Sequence, residues 1–354
     1  HRDLHSFPTR RSSDLFSSSL RYTNKMTRVT NNWENGNPTA MDKHAFWLPN
    51  EYIESSVLEV LTERSQAIIK GFTYSAESIT GDPKRFDDFN QIVKSQEGYM
   101  VVNCSSTELP IPNESIDVII TDPPYGSNVQ YAELSIIWNA WYQIYAQKDN
   151  YIYRDLEAVS NRKTGYKGAK TESDYERLLT SIFSECNRVL KSDGHLVFTF
   201  NNKNIKVWLA MLKAATKSGF ILVKNGILFQ DFIESYKNTA HLKYSGNIVG
   251  DFIYTFKKSK IADFVEYPNQ SLSQFIESTI VKSLIELFSI NEQVTNEVIY
   301  KEIFAILATE LTHYILYCDK SGTPLNELDV FSDDYVDRLL LKHLTYSNGK
   351  WMVK

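Results

Sequence analysis

Hydrophobic and polar positions follow one rhythm through the middle of the chain and a different one on either side. In the middle, Tyr99-Met100-Val101-Val102 reads as a short strand and Ile116-Asp117-Val118-Ile119-Ile120 as a buried one rich in β-branched residues. From about Asn128, residues Val129, Ala132, Ile136, Ile137 and Ala140 mark one helical face, with Ser127 and Gln130 at capping-box spacing. A second helix is predicted over 173–190, with Ser173 and Glu176 as its capping box. Its buried face is Leu178, Leu179, Ile182, Phe183, Cys186, Val189 and Leu190, and Ser192-Asp193-Gly194 should stop it. The run His195–Phe200 then reads as a buried strand, followed by a helix over 205–217, a strand from Phe220 and a strand over Asp251–Phe256. Alternation at these lengths predicts an α/β fold with a parallel, helix-flanked sheet.

The flanks differ. Residues 16–45 are polar, rich in Asn and Thr, and read as loop, and the segment from Asn50 has helical spacing up to Gly71. Residues 72–98 carry no clear pattern. Beyond the middle, 271–289 and 296–317 read as long amphipathic helices and 333–344 as a shorter one. The chain closes on Tyr346-Ser347-Asn348-Gly349-Lys350-Trp351, an Asn-Gly hairpin signal. The organisation expected is therefore an N-terminal segment 16–98 with one long helix, a central domain 99–258, and a helical domain 259–354 ending in a hairpin. Residues 1–15 stand apart: Ser6-Phe7-Pro8-Thr9-Arg10-Arg11-Ser12-Ser13-Asp14-Leu15 looks like a translated frame of a sequencing-adapter oligonucleotide, with no apolar run of a secretory signal. On that reading the chain begins at an assembly junction.

Composition adds exclusions. The 354 residues are 42% hydrophobic and 23% charged, an ordinary globular balance. No stretch approaches the ~20 apolar residues of a membrane span. The three cysteines (Cys104, Cys186, Cys318) are far apart and the seven histidines have no ligand spacing, so neither a disulfide framework nor a metal site is expected, and a reduced, cytoplasmic location is. A formal net charge of −5 confines any nucleic-acid binding to a local patch.

The chemistry centres on Asp122-Pro123-Pro124-Tyr125, directly after the strand ending at Thr121. Ligands of open α/β sheets lie beyond the carboxyl ends of strands. Two prolines fix φ and remove two N–H donors, giving a stiff loop that presents the Asp122 carboxylate and the Pro123 carbonyl as acceptors. Such a pair suits an exocyclic amine, which can donate one hydrogen bond to each. The lone pair of an aromatic amine is delocalised into its ring, and two acceptors pulling on its hydrogens favour a tetrahedral, nucleophilic nitrogen. Tyr125 offers a face on which an extruded base could lie.

The run Thr121-Asp122-Pro123-Pro124-Tyr125-Gly126 resembles motif IV of the amino-methyltransferases that modify adenine N6 or cytosine N4 in DNA. With SNVQYAELSIIWNAWY, CNRVLKSDGHLVFTFNNKNIKVW and GNIVGDFIYTF in order, residues 46–258 look like a group of prokaryotic DNA methylases. The resemblance implies a Rossmann-like S-adenosylmethionine methyltransferase sheet with a C-terminal helical, winged-helix-like domain. It implies S-adenosyl-L-methionine as cofactor and DNA as partner, and gives Asp122, Pro123, Pro124 and Tyr125 the roles of holding and stacking the target base. Asp at the first motif position favours adenine N6. A partner protein in restriction or phage defence is plausible by family.

Two departures qualify the match. No glycine-rich FxGxG or GxGxxG turn occurs in the chain, so the sheet is expected to be incomplete, with its cofactor-binding half upstream of the junction. The turn Asn103-Cys104-Ser105-Ser106 falls where such enzymes usually place Gly-Asp, making Asn103, Ser105 and Ser106 the candidate cofactor contacts; the same residues also read as a plain polar turn. For DNA, Arg162, Lys163, Lys167 and Lys170 form an acid-free basic loop suited to phosphates, or else a solvated surface run. Weaker candidates are Ser235–Thr239 with Lys243, and Glu133 as a second acid near the motif loop. The rival functions are an RNA or protein-glutamine methyltransferase and a non-catalytic DNA-binding subunit.

Overall fold

The computed structural model describes residues 20–22, 52–54, 57–146, 154–230, 250–325 and 331–354, apart from 80, 82–83, 96, 162–164, 166, 203, 261–262, 269 and 333. The chain forms two compact units, 1–102 with 234–243, and 103–233 with 244–354.

In the first unit, strand β1 (Leu20–Tyr22) pairs antiparallel with β2 (Tyr52–Glu54), so part of the segment read as loop is extended and the helix begins only at α1 (Val57–Ser78). That helix runs through Gly71 instead of ending there; a glycine inside a helix costs propensity without forcing a stop. Helix α2 spans Phe89–Ser95. Tyr99–Val102 is not a strand: only Tyr99 forms a bridge, to Arg85.

The second unit is built on a four-stranded sheet, β3 (Ile116–Thr121), β4 (Leu190–Phe200), β5 (Phe220–Gln230) and β6 (Asp251–Lys258), in the order β3-β4-β6-β5. The expected parallel pairing holds for β3 and β4 alone. Strand β6 inserts antiparallel between β4 and β5. Helix α3 (Tyr131–Ala146) follows the motif loop, α4 (Glu172–Val189) precedes β4, and α5 (Ile205–Lys217) joins β4 to β5.

Local chemistry corrects three details. The capping box of α4 is Thr171 with Asp174, not Ser173 with Glu176, which frees Glu176 to turn inward. Helix α3 starts at Tyr131, and Gln130 bonds Ser160 and Asn161 instead of capping it. The Ser192-Asp193-Gly194 run lies inside β4, since the helix has already ended at Val189. A Cβ at Gly194 would sit 2.8 Å from the Asp117 carbonyl, so this glycine lets β4 approach β3 at the irregularity between Ile116 and Val118.

Helix α5 is buried at Ile205 and throughout Val207–Thr216. Phe198 of β4 stacks on Phe183 of α4 at 5.5 Å and on Phe256 of β6 at 5.2 Å. The C-terminal module is α6 (Leu272–Ile290), β7 (Val294–Thr295), α7 (Asn296–Ser321), α8 (Tyr335–His343), β8 (Leu344–Ser347) and β9 (Lys350–Val353). Its sheet order β7-β9-β8, with Asn348 and Gly349 at φ 52° and 78° in the hairpin turn, gives helix-strand-helix-helix-hairpin, the winged-helix order. Phe304 of α7 meets Trp208 of α5 edge-on at 5.1 Å, so module and sheet share one core. No helix among the described residues is long and apolar enough to cross a membrane.

Candidate active site

Asp122 is exposed immediately beyond the carboxyl end of β3, and the rest of its loop is pinned. Pro123 is buried, Pro124 and Tyr125 are half-buried. Tyr175, fully buried on α4, donates its hydroxyl to the Pro124 carbonyl at 2.6 Å. Asn202, just past β4, donates from Nδ2 to the Tyr125 carbonyl at 3.2 Å, and its own Oδ1 accepts from the Asn204 backbone at 2.8 Å. Gly126 follows at φ 65°, where a Cβ would lie 2.5 Å from Val207 Cγ1 of α5, so only glycine lets the chain turn against that helix.

The Tyr125 ring packs edge-on against Phe200 at 5.1 Å, and its hydroxyl donates to Thr199 Oγ1 at 3.0 Å. Thr199 in turn donates to Asp122 Oδ1 at 2.7 Å. Burial pushes the Tyr125 phenol well above the ordinary tyrosine range, opposed by its bond to Thr199 and reinforced by the charges of Asp122 and Asp251. It is a hydroxyl donor wherever the protein is folded.

Two acceptors of the loop are thus already defined. The Pro124 carbonyl is engaged by Tyr175, and Asp122 is held by one oxygen. With Tyr125 they form an aromatic-backed edge at the end of a strand.

The sequence pattern does not single out Thr199, Tyr175 or Asn202. A signal for Thr199 is nevertheless present: in His195–Phe200 it is polar beside buried Phe198 and Phe200, one residue past the register pair Thr121–Phe198.

The other candidates are dispersed. Asn103 and Ser106 are exposed, and Ser105 closes its own turn, with Oγ 2.8 Å from Thr107 Oγ1 and accepting from the Thr107 backbone. This turn is latched to α4: Leu109 N–H donates to Glu185 at 2.6 Å, while Arg188 bonds the Leu109 and Ile111 carbonyls at 3.0 and 2.9 Å. Arg188 draws the Glu185 carboxyl down to about 2. Among the described residues no glycine-rich turn offers a row of backbone N–H groups to a methyl donor.

In the basic loop, Arg162 and Lys163 lie outside the described residues and Lys167 is exposed. Lys170 is half-buried: its ammonium donates to the Glu157 carbonyl at 2.6 Å and its backbone exchanges bonds with Asn161 at 2.7 and 2.8 Å. Burial lowers its pKa. Ser160, at the start of this segment, donates its N–H to the Gly126 carbonyl at 3.3 Å, tying the loop to the motif turn. Glu133 is exposed in the first turn of α3, whose Ala132 N–H is instead taken by Glu157 at 2.9 Å. Ser235–Thr239 and Lys243 lie outside the described residues. Among the described residues no cluster of three metal-ligating side chains occurs.

A family model described as DNA methylase, covering N6 and N4 amino-methyltransferases, matches residues 116–320, more than half of the chain. Among solved structures the chain is similar to PvuII DNA methyltransferase (cytosine-N4-specific), at 15% identity and a TM-score of 0.27. That match spans 51% of this chain and 61% of the PvuII chain. No curated protein sequence matches.

Proposed function

The chain belongs to the N6/N4 DNA methylase family, and from that premise we propose that it methylates an exocyclic base amine in DNA, adenine N6 by preference, through Asp122-Pro123-Pro124-Tyr125. The donor of the family is S-adenosyl-L-methionine, which supplies an electrophilic methyl group when bound. The observation that carries the reading is an exposed carboxylate, Asp122, at the end of β3 on a loop immobilised by Tyr175, Asn202 and Thr199.

In this reading the amine of an extruded base donates one hydrogen to Asp122 and one to the Pro123 carbonyl, and its ring lies against Tyr125. Both acceptors withdraw the hydrogens from the ring plane, which localises the nitrogen lone pair for attack on the methyl carbon. Asp at the first position supports adenine over cytosine. Asn103, Ser105 and Ser106 stand as candidate cofactor contacts. Arg162, Lys163 and Lys167 are proposed to meet DNA phosphates, with Lys170 holding the base of their loop.

The test is transfer of labelled methyl from S-adenosylmethionine by the full gene product, on unmethylated duplex DNA against RNA, with the product nucleoside identified. N6-methyladenine from DNA is expected; label on RNA or protein alone would contradict it. The winged-helix order of the C-terminal module favours one second reading, a DNA-binding subunit without catalysis. Tight DNA binding without any transfer would select it.

A further inference from the structure

Thr199 stands between the two side chains assigned to the base. Tyr125 Oη donates to Thr199 Oγ1 at 3.0 Å, and Thr199 Oγ1 donates to Asp122 Oδ1 at 2.7 Å. A hydroxyl has one proton and two lone pairs. Here the proton goes to the carboxylate and a lone pair accepts from the phenol, so the direction of the chain is set: phenol to hydroxyl to carboxylate. Burial keeps the phenol end protonated.

The middle of the chain is rigid. Thr199 sits near the end of β4, paired with Ile253 of β6, between buried Phe198 and Phe200. Its β-branched side chain has little rotameric freedom. The Asp122 side chain, by contrast, ends in a broad, two-fold torsion that by itself fixes no carboxylate plane. A bond to Oδ1 restricts that torsion and leaves the other oxygen for an incoming amine. Because the same hydroxyl receives the Tyr125 proton, a shift of the ring that weakens one bond also alters the other.

We propose that Thr199 is a positioning residue that orients the Asp122 carboxylate for the amine and couples it to the base-stacking ring of Tyr125. The proposal rests on the amino-methyltransferase reading above.

Four variants test it: Thr199→Val, which keeps the shape and removes the hydroxyl, Thr199→Ser, which keeps the hydroxyl, Tyr125→Phe, and the Thr199→Val/Tyr125→Phe double. A hydrogen bond to a charged group predicts that T199V lowers kcat roughly 10- to 100-fold. KM for DNA should stay within about threefold, since ground-state binding is untouched. T199S should recover most of kcat, and Y125F should cost activity in the wild-type background but little in T199V. Urea unfolding provides a readout that needs no activity: T199V and Y125F should each lower the midpoint, with the double variant no lower than T199V alone.

Wild-type kcat in T199V, no recovery in T199S, or strictly additive urea midpoints would overturn the relay. Coupled midpoints in a wild-type protein that transfers no methyl group would instead overturn the amino-methyltransferase reading, and with it the positioning role.

Discussion

The hydroxyl of Tyr175 reaches across from helix α4 to the carbonyl of Pro124, at 2.6 Å, and ties the motif loop to a buried helix face. Tyr175 is fully buried, so its loss leaves a carbonyl without its partner in a place water reaches poorly. Tyr175→Phe should therefore cost roughly 1 to 3 kcal/mol of stability. Urea denaturation checks this, and an unchanged midpoint would show that the loop does not depend on α4.

Gly126 combines a positive φ of 65° with a Cβ site 2.5 Å from Val207 Cγ1. Gly126→Ala should lose about 1 to 2 kcal/mol from the left-handed backbone alone, with the clash added. In a Val207→Ala background the clash is relieved and the backbone cost remains. The double variant should accordingly be less destabilised than the sum of the singles, measured by thermal unfolding.

The Glu185–Arg188 latch gives an acid limb to stability. The Glu185 carboxyl is lowered to about 2 in the folded protein, chiefly by Arg188, and rises to about 4.3 on unfolding. A depressed folded value means that the stabilisation is complete above the unfolded value and fades as pH falls toward the folded one. Glu185→Gln should lower the Tm at pH 7, and the gap from wild type should close between about pH 4.3 and pH 2. A gap that stays constant across that window would remove the ion pair from the account.

Much of this was legible in the sequence, and the misses have physical causes. The strand Ile116–Thr121, helix α5, the two long C-terminal helices and the Asn-Gly hairpin all carry strong periodicity or turn chemistry, and the structure places them within a few residues of expectation. The motif loop was legible because two prolines after an apolar strand restrict the backbone from within. What was not legible depends on partners distant in sequence. The Thr171 cap goes with an inward-facing Glu176, which bridges Lys213 and Lys217 at 3.0 and 2.6 Å, partners some forty residues further along the chain. The antiparallel insertion of β6 between β4 and β5 is a matter of topology, to which local pattern is blind. Tyr175 and Thr199 read as ordinary helix and strand residues until the loop is laid beside them.

Lys167 and Lys170 of the basic loop differ, the first exposed and the second half-buried. Neutralising Arg162, Lys163 and Lys167 should weaken DNA binding about equally across sequences, with the log–log salt slope falling by ~0.9 for each phosphate that is no longer neutralised. Lys170→Ala should change that slope less and stability more, because its ammonium is bonded to the Glu157 carbonyl. Filter binding across a salt series checks both, and equal slope changes for Lys167 and Lys170 would contradict the division.

The most direct test of the central claim is Asp122→Ala in the full gene product, assayed side by side for methyl transfer and for DNA affinity. Phosphate contacts dominate affinity, whereas Asp122 is assigned to the amine alone. Transfer should fall by at least about a hundredfold, with DNA binding changed by no more than a few-fold. Transfer within tenfold of wild type would contradict the claim that this loop holds the reacting amine.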